Sequence, residues 1–180
     1  MNLNLPMPRR LLASLVLAAM AQAAAGQAHV HGEATLELVI EPTRLSLRLD
    51  TPQHNLLGHE RAPRNDAERQ AAAALRQRLL TGAAWFELPA TSGCRLASAE
   101  VEAPMLLPTG GAQASAGHAD VVVSYQFDCQ STAGLHSLAV GGLFDAFPGL
   151  QRIRAQVADS GGQHQTTAKR PARRLDWVNK

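Results

Sequence analysis

Two histidines and a glutamate at alternating positions form the polar cluster with the clearest chemical potential. His29, His31 and Glu33 are two residues apart, so on an extended strand they share one face, about 7 Å from one to the next. Imidazole and carboxylate are zinc ligands, although a zinc site usually has four. The spacing therefore favours part of a metal site. The alternative is that polar residues merely begin an edge strand.

Further ligands must come from other segments of the chain. His118 and Asp120 flank the start of a predicted strand and are our choice to complete the site. A second polar group, His54, His59 and Glu60, lies in a connection bounded by proline and glycine; such positions are more often surface or turn residues. Zinc is the metal we expect, and copper or nickel also suit these ligands.

No catalytic motif accompanies these residues. The chain has no Gly-x-Ser-x-Gly or His-Glu-x-x-His motif, no phosphate-binding loop and no dinucleotide fingerprint. A zinc hydrolase would also need a water-activating base beside an open metal position, and the sequence designates none. We therefore expect that the protein is not an enzyme.

The first residues have the order of a secretory signal peptide. Arg9 and Arg10 precede an apolar stretch at 11–20, and small residues follow it. We predict a signal peptide at 1–25, with cleavage possible between 23 and 28. No later segment reaches the ~18 apolar residues of a membrane span.

The remaining chain, residues 26–180, is predicted to form a single periplasmic domain. Without Arg9 and Arg10, the 17 Lys and Arg residues become 15, equal to the 15 Asp and Glu residues. A chain with no basic excess lacks the charge that attracts phosphates, so nucleic acid is not an expected partner. The oligomeric state stays open.

Two cysteines in an exported protein predict one disulfide, between Cys94 and Cys129. It would close a loop of about 35 residues and stabilise the fold by ~4 kcal/mol in the chain-entropy model. Predicted strands at 95–102 and 120–129 would bring the two cysteines together if they pair antiparallel. The segment between them, 103–119, is rich in Pro, Gly, Ala and Ser and is predicted to be a flexible loop.

The other patterns indicate hairpins and one helix. Alternating apolar residues predict an amino-terminal hairpin that pairs Glu37 with Arg48 and Leu36 with Leu49. A helix is predicted at about 66–81, because Asn65 and Glu68 fit a capping box. A last hairpin is predicted from strands at 153–157 and 163–167. Together these elements predict an α+β fold, with the helix packed on an antiparallel sheet.

Several short motifs occur in a specific order along the chain. They are His29–Val30–His31–Gly32–Glu33–Ala34–Thr35–Leu36, Asn55–Leu56–Leu57–Gly58, Trp85–Phe86–Glu87–Leu88–Pro89, His118–Ala119–Asp120–Val121, Phe127–Asp128–Cys129 and Leu143–Phe144–Asp145–Ala146–Phe147–Pro148. In these motifs the chain resembles the ZrgA-type zinc-regulated periplasmic proteins.

The resemblance implies a periplasmic protein, made under zinc limitation, that binds zinc and assists its acquisition beside a high-affinity zinc importer. It also strengthens the assignment of His29 and His31 as ligands. Relatives commonly carry a tract rich in His and acidic residues before the strand at 121–128, where this chain has only His118. We therefore expect a periplasmic zinc-binding or zinc-delivery protein of low capacity. The alternative is an exported protein-interaction module with little specific metal binding.

Overall fold

The computed structural model describes residues 30–106 and 119–177. The predicted signal peptide, His29 and His118 lie outside these residues. In chain order the elements are β1 (Glu33–Glu41), β2 (Arg44–Pro52), α1 (Gln53–Leu57), α2 (Asp66–Leu80), β3 (Arg95–Glu102), β4 (Asp120–Asp128), β5 (Ser137–Ala139), α3 (Gly141–Ala146), β6 (Arg152–Asp159), β7 (Gly162–Lys169) and β8 (Arg174–Asp176). Two short 3-10 turns follow α2, at Gly82–Trp85 and Ala90–Ser92.

Among the described strands, six form one sheet in the order β3-β4-β2-β1-β6-β7. Neighbouring strands are antiparallel except β1 and β6, which are parallel. β5 and β8 form a separate two-stranded ribbon. The predicted α+β fold with α2 as its main helix is confirmed. The sheet is mixed rather than purely antiparallel, because β6 pairs with β1 in the parallel direction. The two strands are joined by a long connection, so no turn motif in the sequence predicts their pairing.

The β1–β2 hairpin has the predicted register, with Glu37 opposite Arg48 and Leu36 opposite Leu49. Its leucines face the core, whereas the polar residues between them face outward. A slip of one residue would move this whole leucine set to the solvent face, so burial determines the register. The buried leucines of the hairpin are Leu36, Leu38, Leu45, Leu47 and Leu49.

The first strand begins later than the alternation suggests. β1 starts at Glu33, and the backbone turns at residues 31–32, where Gly32 has φ +84° and Glu33 N–H donates to the Val30 carbonyl at 3.0 Å. The prediction that His31 and Glu33 share one face of an extended strand is therefore wrong. Glycine permits this left-handed backbone at no steric cost, and the turn separates His31 from the direction of β1.

The main helix packs on the sheet as predicted. The Asn65 side chain accepts the Glu68 backbone N–H at 2.9 Å, which caps the first turn. Toward the other end of the helix, the buried Tyr125 hydroxyl donates to the Leu79 carbonyl at 2.6 Å, and burial raises the pKa of Tyr125. In the described part of the chain, no helix is long and apolar enough to cross a membrane.

The disulfide and its two strands are confirmed. Cys94 and Cys129 are bonded, directly beside the Arg95–Asp128 pair that ends the antiparallel ladder of β3 and β4. Beyond the other end of that ladder, the first residues of the predicted flexible loop pack on the core, since Ala103 and Leu106 are buried. The rest of that loop, 107–118, lies outside the described residues.

Candidate metal centre

A buried asparagine organises the surface that carries His31. Asn55, in α1, is 2% exposed, and its Oδ1 accepts the Gly32 backbone N–H at 2.6 Å. Its Nδ2 donates to the Glu33 carbonyl at 2.8 Å and to the Thr51 hydroxyl at 3.0 Å. One side chain thus joins α1, the end of β2 and the turn before β1. Because a buried amide requires these partners, it fixes the backbone next to His31.

The segment before β6 closes the same junction. The Gly32 carbonyl accepts the backbone N–H groups of Gln151 and Arg152, at 2.7 and 2.9 Å. Gly149 lies so close to α1 that a Cβ there would be 2.8 Å from the Asn55 carbonyl oxygen. The close approach requires glycine at this position, and it explains why motifs far apart in sequence meet around Asn55.

A second buried amide holds the chain that follows α1. The Gln53 side chain donates to the Arg61 carbonyl at 2.9 Å and lies 3.3 Å from His59 Nδ1. Its backbone N–H donates to the Ala119 carbonyl at 2.7 Å, which connects α1 to the start of β4. The segment carrying His59 and Glu60 is therefore attached to the sheet at one end.

An ion pair attaches the other end of that segment to α2. Arg61 donates to both carboxylate oxygens of Glu68, at 2.6 and 2.8 Å. This contact, helped by the Arg64 backbone N–H, lowers the pKa of Glu68 from 4.5 to about 2. The bidentate geometry gives the pair directional strength beyond simple charge attraction, so Glu60 projects from a supported backbone.

His31, His54 and Glu60 meet on this surface; we call them the imidazole cluster. His31 Nε2 lies 3.0 Å from Glu60 Oε1. The His31 and His54 rings stack with centroids 4.1 Å apart and planes 6° from parallel. The His31 side chain is 57% exposed and that of Glu60 33%. The cluster is therefore open to solvent and to a partner.

Part of the cluster already has a spacing that zinc can use. Tetrahedral zinc with ligands at 2.0–2.1 Å holds neighbouring ligand atoms about 3.3 Å apart. The His31–Glu60 distance of 3.0 Å is close to that value, whereas the stacked rings of His31 and His54 do not converge on one point. Within residues 30–106 and 119–177, no group of three or more His, Cys, Asp or Glu side chains is arranged to hold a metal ion.

The other predicted ligands have different surroundings. The Glu33 carboxylate, on β1, is paired with the guanidinium groups of Arg152 and Arg154 from β6. Asp120 begins β4 opposite Pro52, the residue before α1, so its backbone borders the same region. His29 and His118 lie outside the described residues.

The structure links two histidine groups that the sequence presents separately. His54 and Glu60 belong to the second polar group of the sequence, and the folded chain places them beside His31. The available signal was composition alone, since three ligand-type side chains occur within seven residues, 54–60. Their distance from His31 along the chain hides the contact.

Comparison with known families gives one match. A family model described as ZrgA family zinc uptake protein matches residues 28–177, a range that includes every residue the structure describes. No curated protein sequence matches the chain.

Proposed function

The chain belongs to the ZrgA family of zinc uptake proteins, and we propose that it is a periplasmic protein that binds zinc and assists its acquisition or delivery. Family membership gives the chain a zinc-related role. The observation that supports direct binding is the imidazole cluster, in which an exposed histidine nitrogen and a carboxylate oxygen lie 3.0 Å apart beside a second imidazole. Zinc is the cargo in this role, and no catalysis is proposed.

We propose His31 and Glu60 as the first ligands. Zinc would enter between Nε2 and Oε1 after a small separation of the two atoms, since their present distance is close to that between neighbouring ligands. His54 would become the third ligand by turning its ring out of the stack. Asn55 and Gln53 hold the backbones on which these side chains stand, so only side-chain rotation is needed.

The remaining predicted ligands differ in what binding would require. His29, His118 and Asp120 stay predictions for the fourth position. To bind zinc, the Glu33 carboxylate would have to break its ion pairs with the guanidinium groups of Arg152 and Arg154. Separating such a pair leaves two cations without their partner, so we place Glu33 beside the site as support for β1 rather than among the first ligands.

An exposed site with few ligands suits transfer. Zinc held by two or three side chains keeps open coordination positions, at which an acceptor's ligands can attach before the donor's ligands leave. The partner we propose is a periplasmic component of a zinc importer. The export signal predicted at 1–25 supports the same compartment.

The test is a zinc titration of the oxidised protein without its predicted signal peptide and without a histidine tag, in competition with a chelator of known affinity. We expect one specific zinc ion, and weaker binding as pH falls because protons compete for imidazole nitrogens. His31→Ala and Glu60→Gln should each weaken binding roughly tenfold or more. His164→Ala, which removes a different histidine paired with a carboxylate, is the matched control and should change nothing.

An unchanged affinity and stoichiometry in both cluster variants would reject the site. If the wild-type protein itself failed to bind zinc specifically, the interaction-module hypothesis would replace the proposed function. Specific binding that survives both substitutions would instead direct attention to the predicted ligands His29, His118 and Asp120.

A further inference from the structure

The two edges of the six-stranded sheet are built differently. β3, at one edge, carries Arg95, Glu100 and Glu102, and its register with β4 shifts between Leu96 and Ser98. Charged side chains and irregular backbone are the devices that discourage a further strand from pairing with an edge. β7, at the other edge, has no charged residue and no proline from residue 162 to 168, and its register with β6 is continuous.

The hairpin geometry shows which backbone groups of β7 are directed outward. A two-residue loop, Ser160–Gly161, joins β6 to β7, and Asp159 pairs with Gly162 at its base. In such a hairpin the closing pair exchanges hydrogen bonds and bonded pairs then alternate along the ladder. The N–H and C=O groups of Gln163, Gln165 and Thr167 therefore face away from β6. They form a regular row of donors and acceptors along the edge.

We propose that this edge pairs with the same edge of a second copy of the chain, antiparallel about Gln165, which would join two sheets across a two-fold axis. In that register Gln165 lies opposite Gln165 of the other copy, and Gln163 lies opposite Thr167. Lys169 lies opposite Gly161, so no like charges meet. All three outward-facing residues then form bonded pairs, which is the self-complementarity that a two-fold interface requires.

A second copy fits this edge better than a different protein. The run from 162 to 168 contains no Asp, Glu, Lys or Arg that would select an unlike partner, whereas Gln163, Gln165 and Thr167 can pair with the same residues of a second copy without conflict. The cross-strand side chains would be polar and uncharged on the outer face. The edge lies beyond β6 from β1, so the dimer forms independently of the imidazole cluster.

The test is sedimentation velocity of the processed, oxidised protein over a wide concentration range. We expect the wild type to sediment with twice the monomer mass. Gln165→Pro should abolish the dimer, because it removes an outward N–H while leaving the bonds to β6 intact. Gln156→Lys is the matched control: it places a charge on the same sheet face, on β6 directly beside Gln165, and should leave the dimer unchanged.

A charge exchange provides a second measurement that does not depend on how well the proline is tolerated. Gln165→Lys and Gln165→Glu should each be monomeric, since like charges would lie directly opposite. A mixture of the two should recover the doubled mass. A monomeric wild type, or a Gln165→Lys dimer as stable as the wild type, would overturn the proposal. Zinc binding measured on the same variants should not change.

Discussion

Two histidine–carboxylate pairs occur in the part of the chain that the structure describes, and their surroundings differ. His31 and Glu60 are 3.0 Å apart, with side chains 57% and 33% exposed. His164 and Asp159 are 3.3 Å apart, with side chains 17% and 9% exposed. In the first pair a second imidazole stacks on His31. In the second pair the carboxylate also accepts the Gly161 backbone N–H at 2.7 Å, inside the β6–β7 turn.

The difference indicates what each pair does. The Asp159 carboxylate accepts a backbone hydrogen bond inside the β6–β7 turn, so moving it away from His164 would disturb the hairpin. Glu60 makes its contact from a connecting segment that other residues hold, namely Gln53 and Arg61, and its carboxylate can therefore move without breaking the backbone structure. Of these two pairs, His31 and Glu60 are therefore the better candidate for a metal site, because their carboxylate does not hold a backbone turn.

The largest effect is expected from removing the buried amide beneath the first pair. Asn55→Ala should lower the free energy of unfolding by about 3 kcal/mol, because it leaves the Gly32 N–H and the Glu33 carbonyl without this partner and opens a small cavity. Urea unfolding of the oxidised protein measures it. Asn65→Ala, which removes the exposed helix cap, is the matched control and should lower it by about 1 kcal/mol. If Asn55→Ala and Asn65→Ala lowered the free energy of unfolding equally, Asn55 would not have the structural role proposed for it.

The next effect separates the two pairs by zinc affinity. Replacing both stacked rings, His31→Ala with His54→Ala, should weaken zinc binding by about thirtyfold, or about 2 kcal/mol. Stability should hardly change, since the His31 side chain is exposed. Competition titration measures the affinity. If His31→Ala alone had the same effect as the double substitution, His54 would not be a ligand.

A smaller effect is expected at the second pair. Asp159→Ala should lower the free energy of unfolding by about 1 kcal/mol, because the turn loses its acceptor for the Gly161 N–H. Zinc affinity should stay at the wild-type value. Asp159→Asn keeps an oxygen acceptor and should recover most of the stability. Weaker zinc binding in either variant would remove the functional distinction between the pairs.

The smallest effect concerns acid stability near the first pair. Arg61 lowers the pKa of Glu68 from 4.5 to about 2. The Glu68 carboxylate is therefore protonated at a lower pH in the folded state than in the unfolded chain. The ion pair therefore contributes stability above about pH 4.5, and this contribution is lost as pH falls toward about 2. Arg61→Gln should flatten that decline. Urea midpoints at several acidic pH values measure it, and parallel profiles for wild type and variant would contradict it.

Local signals made much of the fold predictable. The register of the first hairpin follows from its alternating leucines and from the charges facing each other, such as Glu37 and Arg48. Helix α2 follows from its cap, Asn65, and the helix-forming residues behind it. The Cys94–Cys129 disulfide follows from there being two cysteines in a chain whose first residues predict export. Each of these rests on neighbours in sequence or on a single possible pair.

Other features depend on contacts between distant segments. The parallel pairing of β1 with β6 could not be predicted, because no short turn connects the two strands. The turn at Gly32 interrupts an alternation that otherwise continues to Val30, so His31 leaves the face on which the pattern placed it.

The sequence by itself determined which residue types could bind zinc, because ligand chemistry belongs to the side chain. Which of them meet was decided by the tertiary structure. Asn55 holds the turn before β1 against α1, and Gln53 and Arg61 hold the segment with Glu60 beside it. These bonds span many residues and form only when burial of the core brings the segments together. Spacing along the chain therefore could not place His31 beside His54 and Glu60.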